Sequence, residues 1–329
     1  MRSEPLIGGI GRLYSILRED FNWEQEIVYH HEQFRLRSAA IVRFGVDWWN
    51  AKSSGCKLML YLHPHLARFH KVTRSKMPYG VITHGVEIQN DHSATLKKIL
   101  SGAEFIICST RYMHELITEK YGELPLHQAY YPTIRFKKKK EPSEKSENCD
   151  FIVLMVGRMD KRERYKGHDE VMEAWAALED DIPAGKLIFV GSGSDEERLK
   201  MKAKKWNVNS RMYFAGQVSD QDLRDWYQLA DVFVLPSSGE GQGLVYLEAL
   251  QMGLPLIALK NSPARELAGE SAGYLLGQQS PDDVAEALLA LYKNRNLRNR
   301  LGENAAKRFK EMNIRERFNA KLSELMGSN

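Results

Sequence analysis

Two acids and two bases, each set beside glycines, carry the chemistry legible in this sequence. The stretch SSGEGQGLVYLEALQMGLP, Ser237 to Pro255, puts Glu240 in a bend with three glycines in seven residues and Glu248 about one turn into the helix that follows. Glycines allow close backbone approach, and the free amides of a helix N-terminus favour an anion, so a phosphate is the natural guest. Carboxylates beside a phosphate repel it unless they face something else, and sugar hydroxyls donate well to them. Glu240 is therefore expected to reach one sugar and Glu248 another; without the glycines both would read as ordinary solvated acids. The second motif, GRMDKRERYKGHD from Gly157 to Asp169, follows a strand. Arg158 stands at the strand end and Lys166 just before Gly167 and the next helix. One guanidinium and one ammonium there offset the two charges of an esterified diphosphate without a metal. Arg162 and Arg164 read as surface charge.

Weaker candidates surround these. Asp220 and Asp222 form an aspartate pair of the kind that holds a divalent ion, but they open a helix, where Asp is expected as cap and dipole partner. His63 and His65 are expected to alternate in a strand, with no third ligand evident. No metal site is assigned. IGGIGR, Ile7 to Arg12, is a glycine turn opening a helix, and THGVE, Thr83 to Glu87, puts His84 at a strand end. His84 alone reads as structural; in a cleft facing Glu240 it becomes a hydrogen-bond partner for a sugar or diphosphate.

Positioning these groups takes strands and helices in alternation. FIVLMVG (Phe151 to Gly157), KLIFVG (Lys186 to Gly191), RMYFAG (Arg211 to Gly216), DVFVLP (Asp231 to Pro236) and LPLIAL (Leu254 to Leu259) are short, mostly apolar on both faces and punctuated by Gly or Pro, as strands covered on both sides are. DEVMEAWAAL, DEERLKMKAKKW and DQDLRDWYQLA lie between them with helical spacing, each opening near a Ser or Asp cap. This is a doubly wound parallel sheet, whose ligands bind at the carboxyl edge. Earlier in the chain KLMLYLHPHL, YGVITHG and AEFIICST read as strands, and ATLKKILSG and RYMHELITEKYG as helices. The charged FKKKKEPSEKSENCD reads as a surface connection. The expected organisation is a first Rossmann-like domain at 1–136, a linker at 137–150 and a second Rossmann-like domain at 151–329, with the last helix packing back on the first domain and a cleft between the two.

Composition narrows the class. The 329 residues, 43% hydrophobic and 27% charged, suit two globular cores. No apolar run approaches the ~20 residues of a membrane-spanning helix. Three widely spaced cysteines, Cys56, Cys108 and Cys149, suggest a reducing, cytoplasmic setting without a disulfide framework. Residues 1–140 carry 21 Lys+Arg against 13 Asp+Glu, a balance of +8, and the remainder 26 against 30, or −4. The basic excess favours an anionic membrane surface, at the inner face, or an acidic acceptor. Nucleic acid is not expected, since no aromatics interleave with the bases. A dinucleotide oxidoreductase is disfavoured because VGSGSDEE places Glu196 where G-x-G-x-x-G needs a third glycine.

Together, GRMDKRERYKGHD, VGSGSDEERL, FAGQVSDQDL and SSGEGQGLVYLEALQMGLP resemble the family 4 retaining glycosyltransferases of the two-domain GT-B fold. The resemblance implies a GDP- or UDP-hexose donor held mainly by the second domain, a saccharide or lipid-linked acceptor, retention, and no metal or other cofactor. Glu240 and Glu248 fit the family's E-x7-E pair, the first on the hexose and the second on the ribose. Arg158 and Lys166 fit its diphosphate pair, Gln217 and Val218 its nucleobase pocket, and Gly241, Gln242, Gly243, Leu244 and Val245 the donor loop and helix start. Gly9 and Gly11 fit the glycine loop facing the diphosphate, and His84, placed with Glu240 as catalytic, the histidine that touches the hexose. Gln242 stands where the family commonly has an aromatic. Only seven residues precede GGIGR, where the family has a whole strand, so either a shortened first domain or an incomplete chain is expected. A non-catalytic nucleotide-sugar-binding protein, or the partner subunit of a glycosyltransferase, is the alternative.

Overall fold

The computed structural model describes residues 9–21, 57–72, 75–85, 87–88, 93–132, 151–208 and 210–327. The chain separates into two compact units, Met1–Thr133 with Ile314–Asn329, and Ile134–Asn313.

In the first unit, α1 (Gly9–Asp20), β1 (Met59–Tyr61), α2 (Arg68–Val72), β2 (Tyr79–Ile82), α3 (Ala94–Leu100), β3 (Phe105–Cys108), α4 (Arg111–Tyr121) and β4 (Leu126–Gln128) follow in order. The strands form one parallel sheet, β1-β2-β3-β4. Successive side chains of a strand point to opposite faces. Val81 and Ile106 accordingly join a core with Leu96, Ile99, Met113 and Ile117 from α3 and α4. Their neighbours Ile82, Phe105 and Ile107 join a second core with Leu13 and Leu17 of α1 and with Phe318 and Leu322 of the last helix, Ile314–Met326. Arg315 and Asn319 of that helix both donate to Asp20 of α1. Ser93 and Thr110 cap α3 and α4 by accepting from Leu96 N and Met113 N.

One stretch departs from expectation. Lys57 to Leu66 is strand only over Met59–Tyr61 and then turns into a 3-10 helix, Pro64–Ala67. Proline fits a first helical position, where no N–H is needed. His63 Nδ1 accepts from His65 N at 3.2 Å and caps the turn, so the two histidines do not alternate in a strand.

The second unit runs β5 (Phe151–Val156), α5 (His168–Ala177), β6 (Gly185–Val190), α6 (Glu196–Lys205), β7 (Met212–Gly216), α7 (Asp220–Leu229), β8 (Val232–Leu235), α8 (Leu244–Gln251), β9 (Leu256–Leu259), α9 (Pro263–Ala268), β10 (Gly273–Leu276), α10 (Pro281–Lys293) and α11 (Arg295–Met312). Its six parallel strands lie in the order β10-β9-β8-β5-β6-β7. Every residue of β5, β8 and β9 is buried, as helices on both faces require. The edge strand β7 is not covered on both sides: Tyr213 is 53% exposed. Side-chain caps are also fewer than the sequence suggests. Ser219 caps α7 by accepting from Asp222 N, and its hydroxyl donates to Asp222 Oδ2 at 2.7 Å, whereas Gly167 before α5 and Asp195 before α6 make no such bond.

The chain starts at β5, winds outward through β6 and β7, and returns to wind the other way from β8. The reversal lies between β5 and β8, which pair directly at Val153↔Val232 and Leu154↔Phe233. Loops at the carboxyl ends of two such strands separate and leave a crevice. Among the described residues no helix is long and apolar enough to cross a membrane.

Candidate functional site

The two loops at this reversal carry the residues singled out in the sequence. After β5 the backbone runs through Arg158 to a 3-10 turn, Arg164–Lys166, closed by Gly167 in the left-handed region at φ 83°. After β8 it passes Pro236 and bends through Ser237 to Gly243, which starts α8 at φ 68°. The loops are tied together: Ser238 N donates to Tyr165 O at 3.0 Å, and Gln279 Nε2 donates to the same carbonyl at 2.9 Å. A Cβ at Gly239 would lie 2.6 Å from the Tyr165 ring, so glycine is what lets the ring lie against this bend.

The charged groups then meet. Lys166 Nζ donates to Glu240 Oε1 at 2.5 Å, with side chains only 12% and 15% exposed. The buried Ser237 hydroxyl donates to the same carboxylate oxygen at 3.2 Å. Arg158, 69% exposed, pairs with Glu163 Oε1, and Glu163 Oε2 lies 4.0 Å from Lys166 Nζ. Arg158, Glu163, Lys166 and Glu240 thus form one chain of alternating charge across the crevice. Burial, followed by the charges of Glu163 and Glu240, pushes the Tyr165 phenol up to about 12.

A buttress lies under the turn. Asp195, nearly fully buried, accepts from Arg164 through both oxygens at 3.1 Å and from Arg198 at 2.9 and 2.6 Å. Hydrogen bonds from Arg198 and then Arg164 hold its carboxyl down at about 2. Arg164 is therefore an anchor for the turn that carries Lys166 rather than plain surface charge. Arg162, 87% exposed and paired with Asp160, is surface charge as expected. The loops after β5 and β6 also touch backbone to backbone: a Cβ at Gly191 would come within 2.0 Å of Gly157 O.

The remaining candidates are spread more widely. Glu248 is 0% exposed, one turn into α8, and Oε2 accepts from the Tyr227 hydroxyl at 3.1 Å. Gly241, Gln242 and Gly243 are buried at the start of α8, with Leu244 and Val245 half-buried in its first turn. Exposed Gln217 and half-buried Val218 follow the end of β7. Gly9 and Gly11 fall in the first turn of α1 in the first unit, while Ile7 and Gly8 lie outside the described residues. His84 also belongs to the first unit, at the end of β2. Its Nε2 lies 2.6 Å from Leu62 O, which requires the proton on that nitrogen, and its ring stacks on His63 at 6.1 Å. Among the described residues no group of three or more His, Cys, Asp or Glu is arranged to hold a metal ion.

Sequence reasoning missed Glu163, Ser237, Tyr165 and Asp195. Only Ser237 left a signal, its position three residues before Glu240.

An uncharacterized glycosyltransferase of Methanocaldococcus jannaschii is 29% identical over 239 residues, 69% of this chain and 58% of that protein. The chain thus spans little more than half of that relative. A sucrose-phosphate synthase from Thermosynechococcus elongatus superposes with a TM-score of 0.72 at 21% identity, covering 88% of this chain and 79% of its own. Anabaena HepE superposes with a TM-score of 0.74 at 16% identity, covering 93% and 84%. These likenesses establish the fold as GT-B, α/β with two parallel sheets. The family model for glycosyl transferases group 1 matches residues 136–308, more than half of the chain. The protein belongs to the glycosyl transferases group 1.

Proposed function

We propose that the protein transfers a hexose from a nucleoside-diphosphate sugar to a saccharide or lipid-linked acceptor, with retention and without a metal. The observation that carries this is the Lys166–Glu240 contact at the strand reversal, with Arg158 one ion pair away. It sets an ammonium and a guanidinium for a diphosphate directly beside a carboxylate for the attached sugar. As the leaving diphosphate gains charge, Arg158, Lys166 and the positive end of the α8 dipole stabilise it. The acceptor hydroxyl attacks from the face the diphosphate leaves, as the resemblance to the retaining family 4 glycosyltransferases implies.

Glu240 binds the hexose and Glu248 the ribose. In the first unit Gly9 and Gly11 serve the diphosphate, and His84, protonated on Nε2, keeps Nδ1 as an acceptor for a hexose hydroxyl. Gln217 and Val218 border the base. UDP is the first base to test: HepE was solved with UDP and glucose, and the structural neighbours TarM of S. aureus and the pneumococcal transferase GtfA with UDP. GDP is the second. A lipid-linked acceptor would bring the basic first part of the chain to an anionic membrane surface.

The test is a panel of UDP- and GDP-hexoses, read by thermal shift and by nucleotide release with saccharide acceptors. Wild-type protein should respond to one donor and Lys166→Met should not. A panel without any response, or a Lys166→Met variant that binds and turns over like wild type, would refute the assignment.

A further inference from the structure

We infer that Glu163 is a built-in competitor for the diphosphate: its carboxylate occupies the cations that donor and departing nucleotide need, and thereby speeds product release. The inference rests on the donor-site assignment above and assigns a role to an acid that it leaves unused.

Glu163 stands between the two cations, with Oε1 paired to Arg158 and Oε2 4.0 Å from Lys166 Nζ. Its place is fixed by the turn itself, since Glu163 N donates to Asp160 O at 2.9 Å and Glu163 O accepts from Lys166 N at 3.0 Å. The side chain is only 12% exposed, yet Oε2, closed off from solvent, accepts no hydrogen bond among the described residues. A structural carboxylate at such a position normally fills its acceptor capacity. This one is held by charge alone on that side, which an incoming anion can take over. The count of charges points the same way. Arg158 and Lys166 balance Glu163 and Glu240, so the ligand-free cluster is neutral and a diphosphate must draw both cations off an acid already in place.

The effect differs between substrate and product. A nucleoside diphosphate ends in a free phosphate and carries more negative charge than the sugar ester it came from. Repulsion by Glu163, and its return to Arg158, therefore weigh more on the product than on the donor. Glu163 lowers affinity for both and spreads the two apart in favour of turnover.

Isothermal titration of wild type, Glu163→Gln, Glu163→Ala and Lys166→Met with inorganic pyrophosphate, UDP and UDP-glucose, alongside thermal midpoints and turnover, tests this. Glu163→Gln keeps the shape and removes the charge. It should bind UDP and pyrophosphate about tenfold more tightly, equivalent to about 1.4 kcal/mol. UDP-glucose should gain about threefold, product inhibition should rise and kcat should fall while KM does not increase; Glu163→Ala should shift affinities in the same direction. Unchanged or weaker UDP binding in both Glu163 variants, or a lowered midpoint with equal losses for all ligands, would overturn the competitor role. If wild type binds UDP and Lys166→Met does not, the donor site stands even when that happens. If neither wild type nor the Glu163 variants bind pyrophosphate or UDP, both ideas fall.

Discussion

The Lys166–Glu240 contact can be tested without any ligand, by a double-mutant cycle of Lys166→Met and Glu240→Gln. At 2.5 Å, Coulomb's law with an effective dielectric of about 20 gives roughly 7 kcal/mol of gross attraction. Desolvating two side chains that are 12% and 15% exposed, and ordering them, offsets most of it, leaving a net coupling of about 1–3 kcal/mol. Lys166→Met leaves Glu240 with the Ser237 hydroxyl alone and should cost about 2–3 kcal/mol. Glu240→Gln leaves Lys166 with Glu163 at 4.0 Å and should cost about 1–2 kcal/mol. Urea unfolding measures the four corners of the cycle. The double variant should lose about 1–3 kcal/mol less than the two single losses combined, and the coupling should shrink in salt. Additive losses would mean that the groups do not touch in solution, and the joint role in gripping a diphosphate and its sugar would fail with them. The same Lys166→Met variant should bind UDP roughly 10- to 150-fold more weakly, the worth of a charge-assisted hydrogen bond of about 1.5–3 kcal/mol.

Two further outcomes follow from residues around the site. His168, buried at the start of α5, is held down at about 4 by burial first and by Lys166 second, so the folded state resists its protonation while the unfolded chain accepts a proton near 6.5. The folded protein therefore binds fewer protons between these values, and stability should fall as pH drops from 6.5 to 4, by about 3 kcal/mol; urea midpoints should show this dependence in wild type and largely lose it in His168→Phe. Gly191→Ala places a methyl 2.0 Å from Gly157 O at a φ of +134°, a clash with backbone that cannot swing away. It should cost about 3 kcal/mol or more in urea unfolding, and a loss under 1 kcal/mol would show that the loops after β5 and β6 do not touch as described.

Much of the second unit was legible because three of its strands are fully buried and its helices are not. Phe151–Val156, Val232–Leu235 and Leu256–Leu259 read as unbroken apolar runs, and each lies near the middle of the sheet. Met212–Gly216 reads the same way but sits at the edge, since an apolar run of five residues does not report whether a neighbour covers it. Leu126–Gln128 and Gly273–Leu276 escaped notice as edge strands of three and four residues. At the site, topology placed Arg158, Lys166 and Glu240 at one rim. Their partners were invisible: Glu163 hides in a run of bases that looks like solvated charge, and Asp195 looks like a cap until Arg164 arrives from 31 residues away. Glu248 was identified from its spacing to Glu240, but its burial against Tyr227 depends on how α7 packs, which spacing does not encode.

The most direct measurement is a crystal structure with UDP bound. Diphosphate oxygens should lie within hydrogen-bond reach of Lys166 Nζ and the Arg158 guanidinium, with Glu163 separated from Arg158. A diphosphate bound elsewhere, or one that leaves the Arg158–Glu163 and Lys166–Glu240 pairs intact, would contradict this.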